Sequence, residues 1–122
     1  MNVTDTTFTK QYRLLRRMDF VSLYGSKTSI SGRSFLVVWK CNTLGYPRVG
    51  ITASRKTGNA VKRNRIKRLI REFFRQYRSM LPAVDLNIIV RRQAAENDTA
   101  AFFEELQRAF QQIGSYTCCH EY

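Results

Sequence analysis

The chain has one histidine, few acids and no long apolar run, and each shortage removes a class of function. His120 lies in the C-terminal tail, and the nine Asp+Glu form no evident cluster along the sequence. Metal-assisted hydrolysis needs a site in which such side chains converge, so a protein-only nuclease is a poor fit and no catalytic or metal-ligating residue is assigned. No stretch approaches the roughly 20 apolar residues that span a bilayer. Met1 to Thr9 is polar and lacks a signal-peptide core. No membrane association is expected, and a cytoplasmic location is. Cysteine is scarce as well. Cys41, Cys118 and Cys119 make an odd count with two adjacent, a poor disulfide framework. The Cys118-Cys119-His120 tail lacks a second ligand pair at a plausible spacing and reads as a tail with incidental thiols.

What is abundant is positive charge. The 122 residues, 43% of them hydrophobic, suit one domain over 1–122 with loose ends at about 1–8 and 115–122. The formal charge is +12. Such an imbalance speaks of partners: phosphate backbones first, acidic membrane surfaces and acidic proteins after them. It is unevenly spread. Through Arg92 the chain holds 20 Lys+Arg against 4 Asp+Glu, and from Gln93 onward 1 against 5. The first three quarters therefore face a polyanion, and the last quarter reads as scaffold.

Patterning predicts a short helix from Arg16 to Tyr24 with Met18, Phe20, Val21 and Tyr24 as its apolar face. A Ser/Thr/Gly-rich break follows, to Gly32. Phe35 to Trp39 and Arg48 to Ala53 read as strands joined through the Gly45-Tyr46-Pro47 turn, pairing as a hairpin. Gly58 and Asn59 precede a long helix that runs to about Met80, before Pro82. Leu86 to Val90 is a further strand. Asn97 or Asp98 would cap a last helix with Ala101, Phe102, Leu106, Ala109, Phe110 and Ile113 as its stripe, closed by Gly114. The sum is an α+β sandwich with helices against a small sheet.

The segment 55–78 holds ten basic residues and one acid, Glu72. At helical spacing Ile66, Leu69, Ile70, Phe73, Phe74 and Tyr77 fall within an arc of about 140°, and Lys67, Arg68, Arg71, Arg75 and Arg78 within another of about 100°. A charge run is usually a solvated face, but such faces mix signs, because like charges at i,i+4 repel. Lys67, Arg71 and Arg75 repeat one sign with almost no acid between them, which makes sense if phosphates supply the missing charge. A membrane or peptide-target helix and plain solubility are the alternatives. Arg63-Asn64-Arg65, read as the first helical turn, offers guanidinium forks and open backbone amides to an anion. Thr57-Gly58-Asn59 would let the backbone come close to a phosphate.

At these residues the sequence resembles the protein subunit of bacterial ribonuclease P. The stretch from Arg48 to Phe74 carries the likeness, with Gly58, Ala60, Arg63-Asn64-Arg65, Lys67-Arg68 and Arg71 in register. Arg13-Leu14, Asp19-Phe20, Tyr24, Arg33, Phe35 and the strand Leu86 to Val90 with Arg91 extend it to roughly Phe8 through Ile113. The resemblance implies the order α-β-β-β-α-β-α with a left-handed βαβ crossover, against the right-handed default. It implies a catalytic RNA that cuts precursor tRNA to the mature 5′ end with Mg²⁺ held mainly by RNA and none bound stably by this chain. Arg63, Asn64, Arg65, Lys67, Arg68 and Arg71 match positions that face that RNA. Arg55 and Lys56 match the basic pair before the helix, and Lys62 joins the same surface. Phe20, Tyr24 and Leu36, with Val38 in the same strand register, match a cleft between the sheet and the first helix that holds the single-stranded 5′ leader. By composition and spacing alone Phe20 and Tyr24 are core residues; the resemblance moves them to the cleft. An aromatic is familiar where Val38 stands, and Trp39 beside it points to the other face. A general RNA-binding protein of ribosomal type remains the alternative to an auxiliary of an RNA enzyme.

Overall fold

Val84–Val90 buries six of its seven residues, and a strand buried on both sides belongs in the middle of a sheet. In the computed structural model it lies there. The structure describes residues 12–14, 17–24, 29–92, 94 and 99–115. They form α1 (Arg17–Tyr24), β1 (Ser29–Ser31), β2 (Phe35–Cys41), β3 (Arg48–Ala53), α2 (Ala60–Tyr77), β4 (Val84–Val90) and α3 (Thr99–Gly114), with single 3-10 turns at Arg55–Thr57 and Arg78–Met80. This is a mixed α+β domain. The sheet order is β1-β2-β4-β3, with β3 and β4 parallel and the other pairs antiparallel.

The order overturns the expected hairpin. β2 and β3 are neighbours in sequence, but β4 inserts between them, because only the central position covers both its faces. Connection 42–47 carries the chain past the end of β4, and Asn42 Nδ2 ties it there by donating to Asp85 Oδ1 at 2.9 Å. β1 is a second departure, a short strand inside the stretch read as a break; the resemblance, not the patterning, anticipated it.

One sheet face carries Phe35, Val37, Trp39, Leu86, Ile88 and Val49, all buried, against the inner faces of α2 and α3. Ile66, Ile70, Phe73 and Phe74 come from α2, as the helical spacing predicts; Leu69 is only half-buried and Tyr77 is exposed. Phe102, Leu106, Ala109, Phe110 and Ile113 come from α3, whereas Ala101 faces solvent. Edge-to-face contacts at 5.7 Å (Phe35–Phe102) and 5.1 Å (Phe73–Phe110) lock the two helices to each other and to β2. Such pairs contribute about 0.5–1.5 kcal/mol each beyond their buried area. The proposed caps of α3, Asn97 and Asp98, lie outside the described residues.

The short helix α1 departs most from its expected face. Met18 is 79% and Val21 50% exposed, while Leu23 is fully buried and Phe20 half-buried. Eight residues hold too few apolar positions for periodicity to select a side, and the sheet selects it. Cys41 is disulfide-bonded, which the reading of the three cysteines as a poor disulfide framework did not anticipate; an odd count still allows one pair. Cys118, Cys119 and His120 lie outside the described residues.

Candidate nucleic-acid interface

The helix that carries the cations starts from a defined cap. Gly58 has φ 148°, a conformation side chains disfavour. Asn59 follows as N-cap, its Oδ1 accepting from the Lys62 amide at 2.9 Å and its carbonyl from the Arg63 amide at 3.0 Å. Arg63-Asn64-Arg65 therefore stands one turn into α2 and not at its first turn. Its backbone amides are spent on the helix, and the open ones lie at Ala60 and Val61. What the triplet presents is side chains alone.

Those side chains are largely uncompensated. Asn64, Arg65, Arg68 and Arg71 are exposed and Arg63 and Lys67 half-buried, with Arg55, Lys56 and Lys62 exposed just ahead. Among the described residues, Lys62, Arg63, Lys67, Arg68 and Arg71 form no ion pair, and Arg65 is held only by donating Nη2 to Thr99 Oγ1 at 3.3 Å. The acid of the segment, Glu72, is taken by Arg75, whose hydrogen bond holds the carboxyl below its ordinary range. Arg78 is spent too, its guanidinium 3.9 Å over the Tyr12 ring. Asn64, Arg68, Arg71, Glu72 and Arg75 line an open depression of about 340 Å³. A cationic surface so poor in carboxylates attracts a polyanion and releases its counterions.

The opposite sheet face carries the other candidates. Register sets Leu36 beside Ile89, Val38 beside Asn87, and Gly50 on the far side of Asn87. Leu36 and Val38 are half-buried on this face, under the side where α1 packs against β2 and β4. Trp39 points into the core and is buried, as alternation predicts. Phe20 lies on Gly50 so closely that a Cβ there would fall 2.4 Å from its Cε1. A smaller cleft of about 140 Å³ opens at this point, lined by Arg13, Leu14, Phe20, Val49, Gly50, Ile51 and Arg71. Phe20 and Arg71, assigned to two different surfaces by sequence, thus line one cleft beside β3. The Tyr24 side chain lies outside the described residues. Gly50→Ala is expected to drive the Phe20 ring off β3 and to cost about 1–3 kcal/mol by overpacking; an unchanged unfolding midpoint and an unshifted Phe20 ring resonance would contradict this packing.

Sequence reasoning missed an ion cluster beside that cleft. Arg48 Nε and Nη2 donate to Asp85 Oδ1 and Oδ2 at 2.9 and 2.7 Å, and Asp19 Oδ1 lies 3.5 Å from the same Nη2. Asp85 is buried, and its hydrogen bond raises the Arg48 pKa above the ordinary value while burial opposes the rise. The available signal was Asp85, the one acid in a strand otherwise made of apolar residues and Asn87. No three His, Cys, Asp or Glu side chains gather as a metal-ligand set among the described residues, and no helix there is long and apolar enough to cross a membrane.

A family model described as Ribonuclease P matches residues 8–114. The ribonuclease P protein component of Citrifermentans bemidjiense is 41% identical over 108 residues, covering 88% of this chain and 93% of that protein. The one from Staphylococcus epidermidis is 39% identical over 99 residues, covering 80% and 86%. Among solved structures, the RNase P protein of Staphylococcus aureus aligns with a TM-score of 0.76 at 36% identity, covering 83% of this chain and 94% of that one. The Thermotoga maritima RNase P protein gives 0.76 at 31% identity, covering 83% and 96%.

Proposed function

The chain belongs to the ribonuclease P protein family, and from that premise we propose that it works in the cytoplasm beside a catalytic RNA to remove the 5′ leader of precursor tRNA. The outer face of α2, from Lys62 through Arg71 with Arg55 and Lys56 ahead of it, docks the catalytic RNA. The sheet face beneath α1, with Phe20, Leu36 and Val38, holds the single-stranded leader, and Tyr24 joins it on the strength of the resemblance. The RNA performs the cleavage with Mg²⁺ that it mainly holds itself. This chain contributes binding and position.

The observation that carries this reading is the cleft shared by Phe20 and Arg71. A substrate strand that passes from α2 to α1 crosses this cleft, which offers it a ring to stack on and a guanidinium for its phosphate. Aromatic stacking plus a cationic groove is how single strands are held without base readout. The uncompensated cations of α2 also substitute for counterions that a bare RNA must recruit, so the protein matters most where Mg²⁺ is scarce. The test is to mix the chain with a bacterial ribonuclease P RNA at low Mg²⁺ and supply precursor tRNA. Cleavage at the mature 5′ end should be strongly stimulated. Binding to the RNA without stimulation would leave a general RNA-binding role in its place.

A further inference from the structure

Arg48 is held from the sheet, independently of α1. Its guanidinium is held in bidentate fashion by buried Asp85, and Asp85 is held in turn by Asn42. What remains of that guanidinium reaches one residue of α1, Asp19, at 3.5 Å. The next residue along α1 is Phe20, and the residue it covers, Gly50, lies two positions beyond Arg48 on the same face of β3. The helix is thus pinned to β3 at two adjacent points, one ionic and one by packing. Its other apolar anchor among the described residues is the fully buried Leu23, since Met18 and Val21 face solvent.

We propose that Asp19 is a positioning residue for leader binding: through Arg48 it sets where α1 rests on the sheet, and so where Phe20 stands over the leader face. The inference rests on the leader reading given above. A carboxylate beside a phosphate strand is electrostatically unfavourable, so its position needs a compensating role. Orienting Phe20 supplies one. The same fact gives the test a sign. If Asp19 merely repels the leader, Asp19→Asn tightens leader binding; if it positions Phe20, Asp19→Asn weakens it.

The measurement is made on the holoenzyme reconstituted with a bacterial ribonuclease P RNA, as the affinity for precursor tRNA divided by that for mature tRNA. Partly exposed ion pairs contribute modestly, so Asp19→Asn should lower this ratio about two- to five-fold, with affinity for the catalytic RNA unchanged. Asp19→Glu, which keeps the charge, should recover part of the loss. Phe20→Ala lowers the ratio by itself, and in that background Asp19→Asn should add nothing, because its effect runs through the ring. A ratio that rises or stays level with Asp19→Asn, or losses that simply add in the double variant, overturns the positioning role. A ratio that Phe20→Ala leaves unchanged overturns the leader reading itself, and the inference with it.

Discussion

Phe74→Ala is expected to remove about 3–5 kcal/mol of stability, the usual cost of emptying a fully buried aromatic site. Phe74 is completely buried on the inner face of α2, edge-on to Phe110 at 6.4 Å. The hole would open between α2, α3 and the sheet, where rings at 5.1 and 5.7 Å leave little freedom to collapse into it. Domains of this size hold about 5–15 kcal/mol in all, so the variant should sit near the edge of folding. Its thermal midpoint should fall by roughly 10–20 °C at about 4 °C per kcal/mol. Urea unfolding of the free protein checks it; a loss below about 1 kcal/mol would mean that α2 is not packed as described. The outer face of α2 is untouched by this change. Affinity for RNA, measured well below the new midpoint, should fall only by the fraction unfolded.

That separation between an inner and an outer face is what made α2 legible. Eighteen residues at one period, with apolar and basic arcs that do not overlap, leave little for tertiary context to decide. Its beginning was less legible. The sequence offered Gly58 and Asn59 as a break, and only the cap geometry shows that Asn59 already accepts from Lys62, which moves Arg63-Asn64-Arg65 one turn inward. The identity of β2, β3 and β4 was readable from composition, but that of β1 and the strand neighbours were not. The pairing of β2 with β4 depends on which strand must be covered on both sides, a property of the whole sheet. α1 was the least legible element. Which of its residues face inward depends on Gly50 and Arg48, some thirty positions away, and eight residues cannot announce that on their own. Val38 stands where the resemblance led one to expect an aromatic, and its neighbour across the ladder is the buried Asn87. This sheet face therefore carries a buried amide beside Val38, at the point where the resemblance implied a ring.

Replacing Arg65, Arg68 and Arg71 together with alanine should weaken docking to the catalytic RNA on the order of 100-fold, taking about 1 kcal/mol for each exposed cation. The dependence on salt is the sharper signature. Each phosphate left unneutralised on a duplex should flatten the slope of log affinity against log salt by about 0.9, so three of them flatten it by about 2.7. The three arginines should not contribute equally. Arg68 and Arg71 have no carboxylate partner among the described residues, whereas part of the Arg65 guanidinium is engaged by Thr99. Arg65→Ala alone should therefore cost least. Arg71 also lines the cleft with Phe20, so Arg71→Ala should lower the preference for leader-bearing over mature tRNA, and Arg68→Ala should leave that preference alone. Lysine at all three positions separates charge from shape. It should restore the salt slope, because charge alone sets counterion release, but only part of the affinity, because the planar fork that grips a phosphate with two donors is gone. Filter binding or fluorescence titration across a salt series reads both quantities. An unchanged slope in the triple alanine variant would show that the RNA docks elsewhere, and the uncompensated cations of α2 would then be a solvated face after all.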